Sequence, residues 1–190
     1  KFYELSSTVY DGAGAGYTVS GDTNEYLAIY DYNCYNQLIG VDTDGVATSY
    51  TYLPDGMRLS KNVGTDTITF VYDGANIIEE ITADGVNKYY RGIEIIKNDD
   101  NLYYLYNGQG DVAILTDSAG NIVANYIFDA YGNPDSENNI YNPFGYRGEY
   151  QDLCSGLIYL RNRYYDPSIG RFITEDPARD GLNWYVYCGG

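Results

Sequence analysis

The chain has 190 residues, with 27 acidic and 11 basic side chains for a formal charge of −16, and with 25 tyrosines, 22 glycines and no histidine. That charge disfavours a nucleic-acid backbone or an anionic membrane surface as partner, and no apolar run approaches the ~20 residues of a membrane-spanning helix. The absence of histidine removes the Ser-His-Asp triad, the Cys-His pair and histidine metal ligands.

Cys34, Cys154 and Cys188 lie far apart with no C-x-x-C spacing, so neither a zinc site nor any other metal or cofactor site is expected. Hydrophobic residues make up 44% and mean hydropathy is −0.39, enough to bury a core. Tyrosine forms strands and joins an apolar body to a hydrogen-bonding tip. With so many glycines it points to an all-β protein. The sequence opens on Lys1 and stops at "YVYCGG", and it reads as a piece of a longer polypeptide.

Residues 1–25 contain "YDGAGAGYTVSGD", which reads either as a degenerate strand pair or as a free end. Beyond residue 25 the sequence repeats. "YDYNCYNQLIGVDTDGVATSYTY" from Tyr30, "YDGANIIEEITADGVNKYY" from Tyr72 and "YNGQGDVAILTDSAGNIVANYIF" from Tyr106 share one order of features. Each runs Tyr-Asp or Tyr-Asn, turn, apolar stretch, glycine turn, alternating stretch. Looser copies lie between them, and Tyr30, Tyr52, Tyr72, Tyr90 and Tyr106 mark a period near twenty.

One unit is a β-hairpin. Asp-Gly at 44–45, 55–56, 73–74 and 84–85 and Gly-Asn at 120–121 and 132–133 are turn signals. "DTITFVYD" and "NKYYRGIEII" alternate apolar and polar residues as half-buried strands do. "VDTDGV" lacks the further ligands of a calcium loop and reads as one of these turns. A lone hairpin is marginal in water, so the copies should pair into one antiparallel sheet with little helix. Its open edges should favour edge-to-edge self-association. Residues 129–146, "DAYGNPDSENNIYNPFGY", read as a long loop before the final portion.

That final portion holds "LIYLRNRYYDPSIGRFITEDP", residues 157–177, dense in arginine, tyrosine and Asp-Pro. Five of the seven arginines, Arg147, Arg161, Arg163, Arg171 and Arg179, fall in the last 44 residues. Arginine stacks on tyrosine and pairs bidentately with carboxylates, so an Arg-Tyr-Asp lattice tying the last strands together is the expected role.

Tyr-Asp openings at this period resemble the YD repeats of Rhs proteins, toxin-complex C components, wall-associated bacterial proteins and teneurins. Residues 106–190 resemble the Rhs repeat-associated core segment. Its pattern is met by Gly156, Leu157, Tyr159, Arg161, Arg163, Tyr164, Tyr165, Asp166, Pro167, Gly170, Arg171, Phe172, Asp176 and Pro177. The resemblance implies YD-repeat hairpins over 26–105 and a core segment, truncated at its C-terminal end, over 106–190. It also implies a secreted or cell-surface bacterial shell whose partners are the rest of its own repeats and an enclosed C-terminal toxin or variable domain.

In several relatives the core also cuts the chain just beyond itself by an aspartyl-type reaction. The resemblance makes Asp166 and Asp176 the catalytic candidates here, with Arg163 or Arg171 to stabilise charge. The competing reading is that each Asp-Pro opens a turn. "DPARDGLNWYVY" departs from the family's usual continuation, and the second Asp-Pro-x-Gly is absent. The expected role is therefore structural. Self-cleavage in the parent is the first alternative, and an extracellular carbohydrate-binding or adhesion module built on tyrosine faces is the second.

Overall fold

The computed structural model describes residues 5–9, 15–19, 28–43, 45–135, 138–176 and 184–187. Thirteen strands form one sheet in which each strand pairs antiparallel with the next. The first five are β1 (Leu5–Val9), β2 (Ala15–Val19), β3 (Ala28–Tyr32), β4 (Leu38–Thr43) and β5 (Val46–Tyr52). Then come β6 (Arg58–Val63), β7 (Asp66–Asp73), β8 (Asn76–Thr82) and β9 (Gly85–Arg91). The last four are β10 (Ile95–Asn98), β11 (Tyr103–Tyr106), β12 (Val112–Thr116) and β13 (Ile122–Asn125). Of the two readings of residues 1–25, the strand pair holds where residues are described, since β1 and β2 pair in register.

The repeat is visible in the strand registers. Tyr32 faces Leu38, Tyr52 faces Arg58, Tyr72 faces Ile77, Arg91 faces Ile95 and Tyr106 faces Val112. One register step inward, Tyr30 faces Val41, Tyr50 faces Lys61, Phe70 faces Glu80, Tyr89 faces Asn98 and Tyr104 faces Leu115. A bulge separates the two pairs in every unit. The repeat is thus phased on Tyr32, Tyr52, Tyr72, Arg91 and Tyr106. This corrects two of the five tyrosines chosen from sequence. Tyr30 sits one step inside the bulge, and Tyr90 is an exposed neighbour of the residue that holds the place.

Side chains also lock unit to unit. The Tyr52 hydroxyl donates to the Leu38 carbonyl, Tyr72 to the Arg58 carbonyl at 2.7 Å and Tyr106 to the Ile95 carbonyl at 3.1 Å. In the fourth unit the Arg91 guanidinium takes the hydroxyl's place, 3.4 Å from the Ile77 carbonyl. Each bond satisfies a carbonyl at a bulge, where the ladder is interrupted.

Five-residue turns close several units by one mechanism. In 33–37, 107–111, 117–121 and 129–133 the first side chain, Asn33, Asn107, Asp117 or Asp129, accepts the backbone N–H groups of the third and fifth residues. These are Asx turns, which explains the Asp or Asn and, three residues on, the left-handed Asn36, Gly110, Gly120 or Gly132. Beside the outer edge of β13, the Asn138 side chain takes the place of a further strand. Its Oδ1 accepts from the Asn125 N–H at 3.3 Å and its Nδ2 donates to the Asn125 carbonyl at 2.9 Å.

Where described, residues 126–149 carry bridges at Phe128–Pro134 and Phe144–Tyr150 and a single 3-10 turn at Tyr146–Gly148. A second antiparallel sheet follows, made of β14 (Tyr150–Gln151), β15 (Ile158–Leu160), β16 (Arg163–Asp166) and β17 (Arg171–Phe172). Alternation gives it two apolar faces. Tyr150, Tyr159 and Tyr164 join the cluster of buried residues on the repeat sheet. Ile158, Tyr165 and Phe172 join a smaller cluster with Tyr146, Phe128 and Tyr187.

Candidate functional site

The two sheets meet around Arg58. Its repeat position holds Leu38, Ile77, Ile95 or Val112 in the other units, yet here a guanidinium is fully buried. Arg58 Nη1 donates to Asp152 Oδ2 at 2.7 Å, and Lys61 Nζ donates to the other oxygen at 3.1 Å. Arg58 and Asp152 side chains are both 0% exposed. The guanidinium carbon lies 4.4 Å from the ring centroids of both Phe70 and Tyr159 and 4.9 Å from that of Tyr150. Its N–H groups Nε and Nη2 have no hydrogen-bond acceptor, so these aromatic faces are their surroundings. Burial opposes the charge of Arg58, but Asp152 holds its pKa well above the usual value. The main-chain N–H of Arg58 also donates to the Tyr159 hydroxyl at 2.8 Å.

One hairpin further along, Glu80 is the acceptor. Tyr150 donates to its Oε1 at 2.6 Å, Tyr141 to the same oxygen at 3.1 Å and Tyr89 to Oε2 at 2.5 Å. Burial first, and then the Glu80 charge, push the Tyr150 and Tyr89 hydroxyls well above the ordinary tyrosine pKa. The C-terminal sheet is therefore seated on the repeats by buried, fully directional contacts. Loss of one partner from a buried ion pair costs ~3–5 kcal/mol, because the other charge stays behind unpaired.

The arginine-rich stretch runs through this seat, with Tyr159 and Tyr164 against the repeats and its arginines and aspartates on other partners. Arg163 lies over the Phe172 ring at 3.6 Å and pairs with Asp176 Oδ2 at 3.2 Å. Asp166 Oδ1 accepts from the Ser168 N–H at 2.9 Å and its hydroxyl at 2.6 Å, which is the turn geometry of an Asp-Pro start. Tyr30 stands beside Asp166, and burial followed by that carboxylate raises its pKa. The two candidate aspartates thus have different described partners: Asp166 meets Ser168 and Tyr30, and Asp176 meets Arg163.

The remaining signature residues have structural contacts. Arg161 Nη1 binds Glu149 Oε1 at 2.5 Å and its Nε donates to the Ala75 carbonyl at 3.2 Å, across to the repeats. Tyr164 accepts from Arg58 at 3.3 Å, and Tyr165 donates to the Tyr131 carbonyl at 2.7 Å. The Pro167 carbonyl accepts from Asn133 at 3.0 Å. At Gly170 a Cβ would lie 2.9 Å from the Tyr131 ring. Arg171 pairs in register with Asp166, and Phe172 with Tyr165. Pro177 and Arg179 lie outside the described residues.

The expected lattice of arginine, tyrosine and aspartate is present, but its buried centre lies elsewhere. It uses Arg58 from the repeats and Asp152, neither singled out from sequence. The signal that could have found Arg58 is its phase: it is the charged residue at an aliphatic repeat position.

A sheet of repeated hairpins with a terminal segment seated on one face defines a repeat-shell wall. The family model described as Teneurin YD-shell matches residues 93–183. The tRNA3(Ser)-specific nuclease WapA of Bacillus spizizenii is 35% identical over 181 residues, spanning 90% of this chain and 6% of that protein. The double-stranded DNA deaminase toxin A of Burkholderia cenocepacia is 35% identical over 81 residues, 38% of this chain and 6% of that protein. Among solved structures, the TcdB2-TccC3-TEV crystal structure matches 84% of this chain and 9% of that chain with a TM-score of 0.63 at 22% identity. The Tc holotoxin pore of Photorhabdus luminescens matches 85% and 9% with 0.62 at 21%, so both speak to fold alone. The chain belongs to the YD-repeat (Rhs) shell proteins. It spans under a tenth of the length of the relatives named here.

Proposed function

We propose that this chain is part of the wall of a secreted or surface-delivered bacterial shell that encloses a C-terminal toxin or variable domain. Its final segment would end the wall by covering the inner face. The observation that carries this reading is the seating of β14–β17 on the face of the repeat sheet, through Arg58–Asp152 and Glu80–Tyr150, rather than at the sheet's edge. Relatives named for different activities, a tRNA nuclease and a DNA deaminase, match 90% and 38% of this chain, as expected of a common wall around exchangeable cargo. The test is protease protection of a polypeptide that continues past residue 190 into a folded domain. Survival of that domain under conditions that digest it when free supports enclosure, and digestion at the free rate refutes it.

A second reading is a single self-cleavage by the core in the longer protein. One observation favours it. Glu175 and Asp176 line a cavity of about 600 Å³ together with Thr174, whose buried hydroxyl has no hydrogen-bond partner. Separation of the downstream domain in both Asp176→Asn and Asp166→Asn variants would rule this reading out.

A further inference from the structure

The five hairpin units of the repeat sheet share the same paired positions around a bulge, and four of them bond back to the preceding unit. Their inward aromatic residues, Tyr30, Tyr50, Phe70, Tyr89 and Tyr104, are also alike. To an apolar segment these units would offer nearly equivalent seats, one hairpin apart. What differs is the pair of inward residues after each bulge. In chain order these are Leu38 with Val41, Arg58 with Lys61, Ile77 with Glu80, Ile95 with Asn98, and Val112 with Leu115.

We propose that Arg58, Lys61 and Glu80 form an address that selects which hairpins receive the C-terminal segment, read by Asp152 and Tyr150 of that segment. In the observed seat both letters match: Asp152 meets two cations and the Tyr150 hydroxyl meets a carboxylate. A slip of one hairpin toward β13 would set Asp152 against Ile77 and Glu80, a like charge, and Tyr150 against Asn98. A slip the other way would bury Asp152 against Leu38 and Val41 with no cation, and would turn Tyr150 toward Lys61. An unpaired or repelled buried charge is penalised far more than an apolar mismatch. Registry is the best-attested use of buried polar groups in otherwise degenerate packings. The cluster therefore excludes wrong seats, whatever the shell holds.

The chain supplies its own reporters, since Cys34 in the first hairpin and Cys154 beside Asp152 are both exposed. With Cys188→Ser, spin labels on these two cysteines should give a single distance by pulsed electron resonance. In the Arg58→Leu/Lys61→Val/Asp152→Leu variant, which carries the Leu and Val of the first hairpin, folding should persist. A second distance should then appear, displaced by roughly 10 Å, two strand spacings. The variant should also melt above the Asp152→Ala single variant, which leaves both cations stranded. One unchanged distance, both in the triple variant and after Tyr150→Phe is added to remove the remaining reader, overturns the proposal. So does a triple variant that fails to fold or melts below Asp152→Ala, because the charges would then hold the segment rather than select its seat.

Discussion

The Tyr72 hydroxyl donates to the Arg58 carbonyl at 2.7 Å, fourteen residues back and one hairpin away. The same step links Tyr52 to Leu38 and Arg91 to Ile77. The repeating tyrosine is therefore a rung between units as well as an apolar filler. Tyr72→Phe should cost about 1–2 kcal/mol, because a carbonyl at a bulge loses its donor. Tyr90→Phe, which removes an exposed bond to Asp99, should stay within about 0.5 kcal/mol. Urea unfolding of the two variants checks the contrast.

The path of the chain into the second sheet depends on backbone that comes very close to rings. A Cβ at Gly145 would lie 2.8 Å from the Phe128 ring. Gly145→Ala should cost roughly 1–3 kcal/mol from overpacking against that ring. At Gly108 nothing lies within 4 Å of an added Cβ, and Gly108→Ala should be near neutral. Thermal melts of both variants distinguish this reading from a general intolerance of change in turns.

Alkaline pH should unfold the protein through its tyrosines. Burial first, then Glu94, pushes Tyr106 up to about 12, and burial raises Tyr52, Tyr72, Tyr104, Tyr150 and Tyr164 as well. A pKa raised in the folded state means that the folded chain holds the proton more tightly. Stability is then complete below the unfolded tyrosine value near ~10 and falls as pH rises from there through 12 and beyond. Phenolate absorbance should rise in two phases, the second coinciding with loss of the β-sheet circular dichroism signal. A single early phase with the sheet intact would contradict the buried ladder.

Asn138 stands in for a fourteenth strand at the edge of the repeat sheet. Asn138→Ala should uncover the Asn125 N–H and C=O and favour pairing between copies. Light scattering across a concentration series should show more self-association than in the unmodified chain. Equal or weaker association would mean that this edge is not the sticky one.

Much of the fold is written in local sequence. Turn glycines and Asx residues carry their own geometry, and strict alternation fixes which side chains share a face. The phase of the repeat was harder to read. Tyr30 and Tyr32 lie two apart on the same face, so alternation cannot say which one sits at the bulge. In "KYYRG" the rung is Arg91 and not a tyrosine at all. The buried centre was less legible still. Arg58 breaks the apolar pattern of its own hairpin and makes sense only with Asp152, 94 residues away. Long-range pairing of that kind leaves no trace in spacing. In the dense signature around Arg163 and Asp166 only some contacts are local, the ring of Phe172 and the Asx turn at Ser168, while Gly170 and Tyr165 reach Tyr131 and Arg161 reaches Ala75.

If this chain walls a shell, the seated C-terminal segment lies on its inner surface. Electron cryomicroscopy of a polypeptide that continues past residue 190 into a folded domain decides the matter. A closed shell is expected, with the Arg58–Asp152 contact on its inner surface and density for the added domain within. An open sheet, or a shell carrying this segment on its outer surface with nothing enclosed, would refute enclosure.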